Sequence, residues 1–73
     1  MSREANLRKE IGKRLKQARE SANYSSVEDF CQKNELPLNP YLSHEEGKTA
    51  ITVSKAVNYS KLLSISLQWL MLG

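Results

Sequence analysis

From Glu4 to Ala22 the apolar residues Leu7, Ile11, Leu15, Ala18 and Ala22 recur every three or four positions among charged neighbours, tracing one stripe along a helix of about five turns. Gly12 interrupts that helix at a cost of about 1 kcal/mol relative to alanine, which points to a neighbour packed close against it. Asn23 and Tyr24 end the element. Ser25 and Ser26 each precede a carboxylate by three residues (Glu28 and Asp29), a pattern close to a capping box, so a second helix is expected through Phe30, Cys31 and Lys33. Val27, Phe30 and Cys31 share its inner face.

Pro37 and Pro40 bracket Leu38 and Asn39. Proline is tolerated in a helix only near the first turn, so a third helix is expected to start around residues 38–40 and to run through Tyr41, Leu42, Ser43, His44 and Glu45. Gly47, at ease in the left-handed conformation, closes it. After residues 48–52 the stripe Val53, Ala56, Val57, Tyr59 or Ser60, and Leu63 predicts a fourth helix of about three turns. Ser66 caps a short fifth one from Leu67 to Leu72, stopped by Gly73. The β-branched stretch at residues 50–53 is too short and isolated to build a sheet. The expected class is all-α: five helices in a single domain over residues 1–73, with connections of two to six residues. Tyr24, Phe30, Leu36, Ile51, Val53, Ile65, Leu67, Trp69 and Leu70 are expected to fill the core, with Trp69 anchoring the last helix.

Length and composition narrow the function classes. A chain of 73 residues buries only about 60% of its unfolded surface, which leaves room for one small domain and none for a two-domain enzyme. Apolar residues at 40% and charged residues at 26% are ordinary globular usage, so the chain should fold. A lone cysteine, Cys31, cannot close an internal disulfide, and this fits a reducing cytosol better than secretion. The first nine residues are polar and the longest apolar run is Trp69 to Leu72, so no signal peptide and no membrane span is expected. The net charge of +3 is unevenly placed. Residues 1–23 carry seven basic side chains against three acidic ones, a surplus of four, and the other fifty residues sum to −1. Such a block suits phosphates, although a solvated helix face has the same composition.

Catalytic chemistry is not expected. One histidine, one cysteine and scattered carboxylates give no zinc spacing, no phosphate-cradling glycine loop and no nucleophile beside its base. His44 on a short helix reads as packed or solvated, and Cys31 as inert core. No cofactor, metal or small-molecule substrate is implied.

Two short helices joined by a tight turn, the second opening after a proline and closing at Glu-x-Gly (Glu45 to Gly47), form a helix-turn-helix pattern at about residues 26–46. With Ile11-Gly12-Lys13-Arg14-Leu15-Lys16-Gln17-Ala18-Arg19, Tyr24-Ser25-Ser26-Val27-Glu28-Asp29-Phe30, Tyr41-Leu42-Ser43-His44-Glu45-Glu46-Gly47, Tyr59 and Trp69-Leu70-Met71-Leu72-Gly73, the chain resembles the lambdoid phage repressor and Cro-type (XRE-like) helix-turn-helix family over residues 8–73. The resemblance implies a five-helix lambda-repressor-like DNA-binding domain. In it the second helix crosses the phosphate backbone and the third lies in the major groove.

On that resemblance Tyr41 and His44 point into the core, and Leu38, Asn39, Leu42 and Ser43 match the base-contacting positions. Asn39 can pair bidentately with adenine, Ser43 can donate or accept, and the two leucines can pack on thymine methyls. Pro40 and Leu42 replace the polar residues many members carry, so hydrogen-bond readout is expected to be thin. Specificity then leans on methyl contacts and DNA shape, or the third helix faces a protein. Phosphate contacts are implied for Ser25 and Ser26 at a helix start and for Lys48 and Thr49 after the third helix. Lys13 and Arg14 are further candidates, with a solvated face as the alternative. Arg19 and Glu45 match a family ion pair between the first and third helices, whose arginine is in some members lent to a phosphate. Met71 and Leu72 are read as an exposed, self-complementary patch for a twofold dimer.

The expected function is therefore a sequence-specific DNA-binding transcriptional regulator, of phage or mobile-element repressor type. It would bind an inverted-repeat operator in double-stranded DNA as a homodimer in a bacterial cytoplasm, and repress by occupying promoter DNA. The competing class is a helical protein-interaction module, an antitoxin or adapter, that uses Leu38, Leu42 and Met71. A third reading makes the chain the N-terminal part of a longer repressor.

Overall fold

The computed structural model describes residues 3–73, and its five helices follow the periodic segments of the sequence closely. They are α1 Arg3–Ser21, α2 Val27–Lys33, α3 Leu38–Glu46, α4 Val53–Leu63 and α5 Leu67–Leu72. The described residues contain no strand. Local chemistry sets the helix starts. The Ser26 hydroxyl accepts the amide of Asp29 at 3.0 Å, Thr52 that of Lys55 at 3.3 Å and Ser66 that of Trp69 at 3.1 Å. At the start of α3 the cap is Pro37, without a side-chain bond. Pro40 in the first turn sacrifices no amide that would have found an intrahelical partner.

Four helix ends close in one way. Asn23, Glu35, Gly47 and Ser64 all take the left-handed conformation, and the amide of the next residue reaches back across the last turn. Tyr24 thus donates to Arg19 at 3.2 Å, Leu36 to Cys31 at 2.9 Å, Lys48 to Ser43 at 3.0 Å and Ile65 to Ser60 at 3.0 Å. Only Gly47 was legible as such a stop, and Glu35 and Ser64 adopt the conformation without glycine or asparagine.

α1 packs against α3 and α5, α2 against α3, and α4 against α5, around a core that includes Leu15, Phe30, Tyr41, Ala56 and Leu70. A ladder of rings crosses it. Tyr24 meets Phe30 at 4.9 Å between centroids, Phe30 meets Tyr41 at 5.0 Å, Tyr41 meets Tyr59 at 5.2 Å, and Tyr59 meets His44 at 5.7 Å. The ladder ties the α1–α2 connection, α2, α3 and α4 together, and tilted or edge-on ring pairs add about 0.5–1.5 kcal/mol each beyond their buried area.

The core expectation needs correction at three places. Val53, in the first turn of α4, is 73% exposed, and Leu67, at the start of α5, is 38% exposed: each leading residue precedes the turn that packs inward. Leu70, fully buried, anchors α5 instead of Trp69, which stays half-buried beside Ala18, Ala22 and Leu63. Leu7 is half-exposed, in the wall of a groove that Ile51 and Met71 also line.

Gly12 marks the closest approach of two helices. A Cβ added there would lie 2.8 Å from the backbone oxygen of His44 and would collide with that of Glu45. Neither atom can rotate away. Gly12→Ala is expected to lower stability by about 1–2 kcal/mol, the overpacking cost outweighing alanine's helix propensity. Chemical denaturation checks this, and a stabilised variant would contradict it. Gly47 is constrained twice, by its φ of 72° and by the Lys9 Cα only 2.8 Å from where a Cβ would stand.

Candidate nucleic-acid interface

α3 is held from behind by its own sequence. Tyr41 and His44, three apart, both point inward and are buried. The Tyr41 hydroxyl donates to Glu45 Oε2 at 2.6 Å, one turn along. Glu45 also receives Arg19 from α1, with Nε at 2.7 Å from Oε2 and the second guanidinium nitrogen at 3.3 Å from Oε1. The remaining arm of Arg19 donates to the backbone oxygen of Tyr24 at 2.7 Å. Both side chains of the pair are about 95% shielded, at 4% and 5% exposure.

The hydrogen bond to Glu45 raises the Arg19 guanidinium above its ordinary pKa, against the lowering effect of burial. Burial, and then the bond to Glu45, also raise the Tyr41 phenol. The ion pair implied by the resemblance is thus present, and its arginine is turned fully inward. His44 Nδ1 and the Tyr59 hydroxyl share a hydrogen bond at 2.8 Å. Burial, with Lys55 adding to it, lowers the His44 pKa, while burial pushes the Tyr59 phenol up to about 12. His44 is therefore a neutral tie from α3 to α4 at neutral pH.

With that face fixed, α3 turns Leu38, Asn39 and Pro40 to solvent and leaves Leu42 and Ser43 half-buried. Leu42 is less available than the sequence suggested, because it lies in a groove of about 450 Å³ between α3 and α1 that Val27 also lines. Ser25 is exposed at the start of α2, whereas the half-buried Ser26 hydroxyl already caps the helix. Past α3, Lys48 and Thr49 are exposed, and the Lys48 ammonium meets Glu46 at 3.1 Å. Lys13 is exposed on α1.

Arg14 is placed elsewhere. Its Nε donates to the backbone oxygen of Leu70 at 2.9 Å and a second nitrogen to that of Met71 at 3.3 Å, so it closes the end of α5. The 56 and 57 residues between these partners explain why spacing gave no hint of the bond, and a role for Arg14 on phosphates is withdrawn.

Met71 is half-buried rather than exposed, and Leu72 is 75% exposed. Together with Val53, Ala56 and Leu67 they line a shallow depression of about 340 Å³ across α4 and α5. Cys31 is buried, and burial raises its thiol pKa, so it stays a protonated core residue.

The chain matches no family model, no curated protein and no solved structure. Among the described residues no helix is long and apolar enough to cross a membrane, and no group of three or more His, Cys, Asp or Glu side chains is placed to hold a metal ion. What the sequence alone missed lies on α1: Lys9 and Lys16 line the same groove as Lys13, at spacings of four and three that put all three on one helix face.

Proposed function

We propose that this chain is a sequence-specific DNA-binding transcriptional regulator of the lambda-repressor-like helix-turn-helix type, acting as a repressor that occupies promoter DNA. The observation that carries the reading is α3 itself. Its inner face is locked by the Arg19–Glu45 pair and the aromatic ladder, and its outer face exposes Asn39 and part of Leu38, with Leu42 and Ser43 half-buried. A rigidly held nine-residue helix with a free outer edge, behind a four-residue connection to α2, is suited to a major groove. On this reading Asn39 and Ser43 hydrogen-bond base edges and Leu38 and Leu42 pack on thymine methyls. Ser25, Ser26, Lys13, Lys48 and Thr49 hold phosphates.

The α4–α5 depression, with its exposed Val53 and Leu72, supports a twofold homodimer, and two copies would read half-sites about 34–36 Å apart. The exposed Leu38 favours a second reading, capture of a protein partner on α3.

Salt separates the two readings. Affinity for duplex DNA, followed by fluorescence anisotropy between about 50 and 200 mM salt, is expected to fall with a log–log slope of about −0.9 per phosphate neutralised. A flat response, or no binding to duplex, would turn the reading to partner capture.

A further inference from the structure

We propose that Lys9, Lys13 and Lys16 form a cationic track on α1 that holds one sugar-phosphate strand of duplex DNA. The track would join the loop after α3 to the start of α2. This inference rests on the DNA-binding reading above and adds two residues and a path to it.

One end is fixed by a close approach and the other by a shared groove. Lys9 has its Cα 2.8 Å from where a Gly47 Cβ would stand, so its backbone lies against the end of α3, directly before Lys48 and Thr49. At the other end Lys16 shares the groove with Val27, the residue after the Ser26 cap of α2. The groove that the three lysines line thus lies between the end of α3, followed by Lys48 and Thr49, and Val27, which follows Ser25 and Ser26. Seven residues of helix from Lys9 to Lys16 span about 10 Å, which with the added reach of the lysine side chains brings about three consecutive phosphates of one strand within range.

The charges are available. Of the carboxylates lining the groove, Glu45 is engaged by Arg19 and Tyr41, and Glu46 meets Lys48 in an exposed pair at the end of the track. Among the described residues none of the three lysines has a carboxylate at ion-pair distance, and all three are exposed. Three like charges on one face disfavour each other within the helix, and an anion along the groove removes that repulsion. A phosphodiester strand supplies a continuous line of negative charge, and Leu42 of α3 in the wall of the same groove makes duplex DNA the occupant to which the proposal commits.

The test uses Lys9→Gln, Lys13→Gln and Lys16→Gln singly and together, with Lys61→Gln on α4 as the control, on a mixed-sequence duplex. Each single substitution is expected to make the salt slope shallower by about 0.9 and the triple by about 2.7 per protomer, with the control unchanged. Circular dichroism melts should coincide with wild type, because glutamine replaces lysine on exposed helix positions at almost equal propensity. A triple variant that keeps the wild-type slope would overturn the track and leave the DNA-binding reading in place. Wild-type protein that fails to bind duplex overturns both, and binding of a polyacidic peptide lost in the triple variant would then assign the lysines to an acidic protein partner.

Discussion

Glu45→Ala is expected to lower stability by about 3–5 kcal/mol, the largest effect of any single polar substitution in this chain. The magnitude follows from burial and not from the ion pair as such: a surface pair is worth about 0–1 kcal/mol, but these two side chains are 4% and 5% exposed. Removing the carboxylate leaves the Arg19 guanidinium in the interior with only the Tyr24 oxygen, and strips the Tyr41 hydroxyl of its acceptor. A domain of this size has about 4–11 kcal/mol to lose. Its thermal midpoint should fall by more than about 12 °C, at about 4 °C or more per kcal/mol. Tyr41→Phe, which keeps the ion pair, should lose far less. A Glu45→Ala melt that coincides with wild type would contradict the role given to the network. Because the network also orients α3, the proposed binding to DNA should weaken in the same variant even at temperatures where it remains folded.

Phe30→Ala is expected to cost about 3–5 kcal/mol by a different route. Phe30 is 0% exposed and lies between Tyr24 and Tyr41 in the ring ladder, so truncation opens a cavity in the middle of the contacts that fasten α2 to α3. α2 has only seven residues and depends on tertiary packing rather than its own propensity. Urea titration should show the loss, and Phe30→Leu, which keeps most of the volume, should show much less. Equal losses for the two variants would indicate that the ring contacts, and not the cavity, carry the cost.

Most of the fold was legible because its signals are local. Ser26 and Ser66 as caps, Pro37 and Pro40 as the start of α3, and Gly47 as its end each depend on chemistry within a few residues, and all five helices lie where the apolar stripes run. Gly12 announced a close neighbour but not which one, since the carbonyls of His44 and Glu45 are more than thirty residues away. Long-range partnerships left no trace in spacing. Arg14 looks like any other cation of a basic helix until α5 places two free carbonyls beside it. The same blindness misassigned Val53 and Leu67, whose apolar side chains fit the stripe but open their helices toward solvent. Trp69 and Leu70 are both apolar neighbours on α5, and it is Leu70 that is fully buried. On the candidate interface, Asn39 and Leu38 are open as their positions suggested, whereas Leu42 is partly covered by the groove that α1 forms with α3. The Arg19–Glu45 pair came from resemblance rather than spacing, and the structure supplies its geometry.

The most direct measurement is selection of bound sequences from a random duplex pool at near-physiological salt, with the Asn39→Ala, Ser43→Ala double variant run beside wild type. Wild type is expected to enrich an inverted-repeat motif that the double variant loses while its melt and its salt slope stay the same, which places sequence reading on the outer edge of α3. No enriched motif, or the same motif from both proteins, would contradict that assignment.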